Sequence, residues 1–341
     1  CDEVFSLGTC EKCKLKASNK GIEHVFVDFV EKLLGHCKAK KVRPLIWHDM
    51  MESYPSTLLS EKLGSMEAEP VLWQYGDVSQ VSESTWDTLY ASFPRVWGAT
   101  AFKGAAEPDA VWTPLHQRYA NHLSWLQKAA DLKEKGPRHL EAVVVTGWSR
   151  FSHNSPLCEI LPVGLPSLHV CLRMLQEGRF SSSLIEAAAV ELNIPEYALL
   201  FDNTSLDMNF PSDFKSAFPG ALLYFYLSRV EAARQLYLRV KREHESFVGS
   251  KDERLAVDGE HVEVLGGCLD VIESLREGTR ENLSLAFFTE DCEEIMQTKF
   301  DKVLQLVGEL RNHLVQASQN DAKTKSHDIG IYNGTNGTNG A

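Results

Sequence analysis

Asp2 and Glu3 open the search for chemistry, because two consecutive carboxyls stand inside the apolar stretch CDEVFSLG. Alternation along a strand sends neighbours to opposite faces. Both acids reach one pocket only where the strand runs out and the chain turns. Cleavage of a glycosidic bond usually uses two carboxyls, one of which protonates the leaving oxygen. An adjacent pair is badly placed to flank a sugar as acid and direct nucleophile. It suits a route in which the substrate's own 2-acetamido oxygen attacks. A bare Asp-Glu pair by itself also describes an ordinary solvated surface, so the elements around it have to decide.

Those elements alternate. Ile22, Phe26, Phe29, Val30, Leu33 and Cys37 follow helical spacing, and Lys38, Lys40 and Lys41 suit a helix C-terminus. VRPLIW, PVLWQY, PRVWGATAF and EAVVVTGW read as short buried strands separated by stretches long enough for crossover helices. Continuous apolar strands alternating with helices predict a parallel sheet covered on both faces. With a strand ending at Asp2 and Glu3, the pattern fits part of a doubly wound sheet or of an eight-stranded barrel. Each strand ends in a polar or aromatic cluster: Trp47-His48-Asp49, Trp73-Gln74-Tyr75, Phe102-Lys103 and Trp148-Ser149-Arg150. A barrel gathers all its strand C-termini on one rim, so this pattern favours the barrel.

All seven tryptophans fall between Trp47 and Trp148. Any single one is expected in the core. Trp47, Trp73 and Trp148, however, each close an apolar strand beside polar groups. Aromatic walls around a few fixed hydrogen-bonding groups suit a pyranose, with its apolar C–H faces and rim of hydroxyls.

CDEVFSLG, LIWHDM, PVLWQYGD, VWGATAFKGA, TGWSRFSHNSPLCEILP and GLPSL, in that order, resemble the β-N-acetylhexosaminidases of glycoside hydrolase family 20. The resemblance runs from residue 1 to about 178. It implies a (β/α)8 barrel whose acid pair ends the fourth strand, so that residues 1–215 are the C-terminal part of a barrel. It implies Glu3 as general acid and then base, and Asp2 as the group that orients the acetamido and stabilises the oxazolinium-like intermediate. Tyr75 would donate to the acetamido oxygen, and Trp47, Trp73 and Trp148 would wall the sugar. Asp49 would bind hydroxyls. Glu159 would do the same or start a helix. No cofactor and no metal is required. A galactosaminide preference and a cytoplasmic and nuclear location are further implications. Two positions depart from the pattern: His48 and Gln74 each stand where an acid is expected. They motivate a second reading, a catalytically inactive carbohydrate-binding or interaction protein on the same fold. Five barrel strands do not close, so this stretch alone is expected to be inactive or poorly soluble.

From about residue 216 the sequence turns helical. Leu223, Tyr226, Leu227, Val230, Ala233, Tyr237 and Val240 share one helix face. Met296, Phe300, Val303, Val307, Leu310 and Leu314 form a heptad-like seam. Residues 216–318 therefore read as a helical bundle, one that could pair two copies of the chain, and 319–341 as a disordered tail. The net charge of −12, from 35 basic and 47 acidic residues, argues against a nucleic-acid partner. No apolar run is long enough for a membrane span. The expected partners are β-N-acetylhexosaminide glycoconjugates or oligosaccharides. The eight cysteines are scattered, which suits reduced thiols. Cys10-x-x-Cys13 has metal-like spacing, but no second pair completes a ligand set, and spacing alone carries neither a zinc nor a redox assignment.

Overall fold

The structure is a computed structural model that describes residues 7–199, 206–208, 217–247, 249 and 251–332. The chain divides into two units. The first comprises Cys1–Ala106, Pro114–Trp148 and Leu165–Ala188, and the second comprises Glu107–Thr113, Ser149–Gly164 and Ala189–Ala341.

The first unit is built on a four-stranded sheet of β1 (Leu45–Trp47), β2 (Glu69–Trp73), β3 (Val96–Lys103) and β4 (Leu140–Gly147). The strands are parallel and lie side by side in sequence order. Helices connect them: α3 (Ser56–Lys62) between β1 and β2, α4 (Glu83–Ser92) between β2 and β3, and α5 (Leu115–Glu134) between β3 and β4. Ahead of β1 stand α1 (Glu11–Lys20) and α2 (Ile22–Lys40). The mixed α/β class and the parallel sheet expected from the apolar runs are both present. The strand expected to end at Asp2 and Glu3 lies outside the described residues.

The central strands β2 and β3 are buried almost throughout, as their continuous apolar runs require. Trp86 from α4 and Trp125 from α5 are fully buried and meet edge to face at 6.2 Å. Gly98 in β3 makes room for that packing, because a Cβ there would run into the Trp125 ring. Leu34, Met51, Leu59, Leu63, Leu72 and Val96 complete the same cluster. Ser82 caps α4 by accepting the amide of Thr85 at 3.2 Å.

The N-terminal end of the sheet is closed by charge. Glu69, at the start of β2, is fully buried. One of its oxygens accepts from Arg95 Nε at 2.5 Å and lies 3.2 Å from Arg43 Nε. The other accepts from the indole of Trp97 at 2.6 Å. A buried carboxylate persists because its lone pairs are engaged.

One expected face needs correcting. In α2 the core side is Val25, Phe26, Val27, Val30 and Leu34, whereas Ile22, Phe29 and Leu33 are exposed. Apolar residues surround much of this helix, so periodicity admits two stripes. Packing against Leu59, Leu63 and Met51 selects the one centred on Phe26 and Val30.

The second unit contains α8 (Ala221–Ser246), α9 (Lys251–Ser284), α10 (Thr289–Ile295), a π-helical turn (Met296–Asp301) and α11 (Lys302–Tyr332), whereas most of α6 (Leu161–Glu177) and of α7 (Ser182–Leu192) belongs to the first unit. Helices α8, α9 and α11 pack on one another. Leu223, Leu227, Val230 and Val240 of α8 and Phe300, Val303, Val307 and Leu314 of the seam are buried. Two histidine–carboxylate contacts tie α8 to α9: His244 to Asp258 at 3.0 Å and His261 to Glu243 at 3.1 Å. The helix α11 runs through Tyr332, and residues 333–341 of the expected tail lie outside the described residues. Among the described residues no helix is long and apolar enough to cross a membrane.

Candidate functional site

In a parallel sheet every strand delivers its last residues to the same edge. Here that edge receives Trp47 from β1, Trp73 from β2, Lys103 from β3 and Gly147 from β4, with His48, Gln74, Gly104 and Trp148 one step further. The ladder continues past the strand ends. The His48 amide donates to Val71 O at 3.1 Å, that of Gln74 to Ala99 O at 3.3 Å, and that of Trp148 to Lys103 O at 3.2 Å. The aromatic residues therefore start from fixed backbone.

Their rings meet. Trp73 and Tyr75 stack with centroids 5.3 Å apart. Trp148 lies 6.3 Å from Tyr75 and 6.2 Å from Trp47. Asp49 accepts from the indole N–H of Trp73 at 3.3 Å. Five predicted site residues, Trp47, Asp49, Trp73, Tyr75 and Trp148, thus share one edge of the sheet. Trp47, Asp49, Trp73 and Tyr75 are half-buried and Trp148 is 37% exposed, so the cluster is a wall open to solvent rather than part of the core.

His48 behaves unlike the acid expected in its place. It is buried beside Trp73, with ring centroids 6.2 Å apart. Burial pushes its pKa below the usual histidine value, against the opposing pull of Glu52 and Asp49. It is accordingly neutral at pH 7. Its Nδ1 has no hydrogen-bond partner among the described residues. Gln74 turns its side-chain oxygen back to accept the Gly76 amide at 3.0 Å, which shapes the loop that carries Tyr75.

Two supports of the wall were not evident as site residues in the sequence. Asn121, on α5 and buried, donates to Gln74 O at 2.8 Å and to Gly76 O at 2.6 Å, and accepts the Ala101 amide at 3.2 Å. Trp125 donates its indole N–H to Gln74 O at 3.0 Å. The loop before and after Tyr75 is therefore held from behind by one helix. Lys103, 3% exposed, donates from Nζ to the carbonyl of Trp148. Gly104, at φ 76°, passes so close to that carbonyl that a Cβ would collide with it. A signal for Asn121 would have been a polar residue on the buried side of an otherwise amphipathic α5; nothing in the spacing marks its partners.

The remaining predicted residues stand elsewhere. Asp2 and Glu3 lie outside the described residues. Glu159 belongs to the second unit. It is buried, sits at φ 42°, lies two residues before the start of α6, and donates its amide to Ala110 O at 3.2 Å. Of the other tryptophans, Trp86 and Trp125 are core, Trp97 binds Glu69, and Trp112 packs on Tyr224 in the second unit at 4.1 Å. Among the described residues no group of histidine, cysteine, aspartate and glutamate is arranged to hold a metal.

Chemically, the wall offers apolar ring faces next to a carboxylate acceptor. That combination can hold the C–H face of a sugar and bind its hydroxyls.

No family model matches the chain. Among curated proteins it is similar to Hexosaminidase D of Bos taurus, 36% identical over 191 residues that make up 54% of this chain and 54% of the bovine protein. It is also similar to Hexosaminidase D of Homo sapiens, 34% identical over 192 residues that make up 54% of this chain and 39% of the human protein. The chain spans about half or less of the length of the curated relatives it matches. Over that matched half, the chain is a hexosaminidase D-like sequence.

Proposed function

We propose that the protein is a glycoside hydrolase, a retaining exo-β-N-acetylhexosaminidase that removes terminal β-linked GalNAc or GlcNAc by substrate-assisted catalysis. The observation that carries this reading is the convergence of Trp47, Trp73, Tyr75, Trp148 and Asp49 on the C-terminal edge of a parallel sheet. The name of its relatives supports it. In this reading the sheet is an arc of a (β/α)8 barrel, because its strands are parallel, follow sequence order and alternate with helices.

Glu3 protonates the glycosidic oxygen while the substrate's acetamido oxygen attacks C1. The leaving alcohol departs and a cyclic oxazolinium-like intermediate forms. Asp2, ionised, stabilises its positive charge. Water then attacks C1, giving its proton to Glu3, and the configuration is retained. Tyr75 donates to the acetamido oxygen and the tryptophans hold the ring. The two carboxyls need different environments, one raising the pKa of Glu3 and the other keeping Asp2 charged.

Hydrolysis of an aryl β-N-acetylgalactosaminide tests the proposal. Glu3→Gln is expected to lower turnover by roughly 10²–10⁴-fold, the usual worth of a general acid. Equal cleavage of the plain β-galactoside, which has no acetamido group, would overturn the substrate-assisted route. The neutral, buried His48 favours one other reading, a sugar-binding protein without turnover. In that case sugar binding is measurable, hydrolysis is absent and Glu3→Gln changes neither.

A further inference from the structure

Cys10 and Cys13 sit one turn apart at the start of α1. Cys10 is the N-cap residue, with extended backbone, and its Sγ accepts the amide of Cys13 at 3.4 Å. The feature is therefore a pair of cysteines on one helical turn, not one cysteine at a helix end. Cys10 is exposed and Cys13 half-exposed, so small molecules in solution reach both.

The surroundings favour a thiolate at the first of them. The Cys13 amide, then the Cys13 thiol, then the amides of Lys12 and of Cys10 itself hold the Cys10 thiol below its usual value. The same chain does the opposite to its buried cysteines. Burial pushes Cys171 up to about 12 and Cys268 up to about 11, and raises Cys292. Geometry completes the case. Residues three apart on a helix have Cβ atoms about 5–6 Å apart. A disulfide needs them only slightly closer, at about 3.5–4.5 Å. A small backbone adjustment of the first turn closes that gap, and side-chain rotation then brings the two sulfurs together.

We propose that Cys10 and Cys13 form a redox-active dithiol that exchanges with low-molecular-weight disulfides of the glutathione class and closes to an intramolecular disulfide. The Cys10 thiolate attacks one sulfur of the small disulfide. The S–S bond breaks and one small thiolate leaves, which takes up a proton. Cys13 loses its proton to solvent and attacks the Cys10 sulfur of the mixed disulfide, expelling the second small thiol. Two protein thiols are oxidised to one disulfide, and one small disulfide is reduced to two thiols. The proposal stands apart from the sugar-site reading, since none of its residues belongs to the aromatic wall.

The test uses the reduced chain at pH 7 in buffers of reduced and oxidised glutathione, followed by acid quench, alkylation and peptide mapping by mass spectrometry. The expected product is a peptide that has lost two hydrogens between Cys10 and Cys13, restored by excess reduced glutathione. In Cys13→Ser the mixed disulfide on Cys10 accumulates, because nothing displaces it. Native-state alkylation of Cys10 is expected to run roughly threefold or more faster than that of Cys37. Equal alkylation rates, a glutathione adduct on Cys10 that never closes in the unaltered chain, or covalent dimers in place of the ring would each overturn the proposal. Helical circular dichroism equal to that of the unaltered chain checks that Cys13→Ser remains folded.

Discussion

The two ends of the sheet use the same pair of groups in opposite ways. At the N-terminal end the indole of Trp97 donates to Glu69 at 2.6 Å, the carboxylate is fully buried, and Arg95 and Arg43 engage its other oxygen. At the C-terminal end the indole of Trp73 donates to Asp49 at 3.3 Å, and both residues are half-buried. A short, enclosed pair with charged neighbours is a fastening. A longer pair in a half-buried aromatic wall leaves ring surface partly open to solvent, where a solute can reach it. In parallel α/β folds stability gathers at one end and binding at the other, and here the division appears within two tryptophan–carboxylate pairs.

Acid should separate the two ends most strongly. His122, on α5, is buried between Thr100 at 2.9 Å and the Arg118 carbonyl at 2.8 Å. Burial lowers its pKa from 6.5 to about 4, with the Arg118 charge adding to the effect and the hydrogen bond to the Arg118 carbonyl opposing it. A neutral buried histidine contributes fully above about pH 6.5. As the pH falls from 6.5 towards 4 the unfolded chain takes up the proton first, and about 3 kcal/mol is lost. Because α5 also carries Asn121 and Trp125, the C-terminal loops should loosen before the Glu69 end does. Amide hydrogen exchange at pH 5 and pH 7 would show this, and uniform loosening at both ends would break the comparison.

At the opposite end, Glu69→Ala is expected to cost about 2–3 kcal/mol in denaturant unfolding, with sugar binding by the folded fraction unchanged. The figure stays below that for a fully buried ion pair because the Arg43 and Arg95 side chains are 50% and 34% exposed and return partly to water. Asn121→Ala leaves Gln74 O and Gly76 O short of a buried donor. It should cost about 2 kcal/mol and also weaken sugar binding, which Glu69→Ala does not. The smallest effect on stability is expected from Trp148→Ala, about 0.5 kcal/mol or less, since the side chain is exposed. The same change should weaken binding of N-acetylgalactosamine by roughly tenfold or more, read by titration calorimetry. A Trp148→Ala protein that unfolds readily yet binds normally would reverse the roles assigned to the two ends.

The site edge was legible because strand ends are local events. Each apolar run stops at a polar or aromatic cluster, and a parallel arrangement carries all the stops to one side. The strand ends fall within two residues of those read from the sequence, at Trp47, Trp73, Lys103 and Gly147. PVLWQY stops short of its expected end because α5 takes the Gln74 carbonyl. What lay beyond reading depends on residues distant along the chain. Asn121 meets Gln74 across 47 positions, and Glu69 meets Trp97 across 28. The buried face of α2 was ambiguous for the same reason. A helix with apolar residues nearly all round does not announce which side its neighbours will cover.

The grip on the aromatic wall has an evolutionary consequence. Lys103 holds the main-chain oxygen of Trp148, and Asn121 and Trp125 hold the main-chain oxygens of Gln74 and Gly76. Each of these hydrogen bonds grips a main-chain oxygen and not a displayed side chain. Positions 148 and 75 can therefore be repainted, one aromatic or polar group exchanged for another, while the frame keeps its shape. New selectivity is within reach of single substitutions, and the scaffold need not be reinvented to accommodate them.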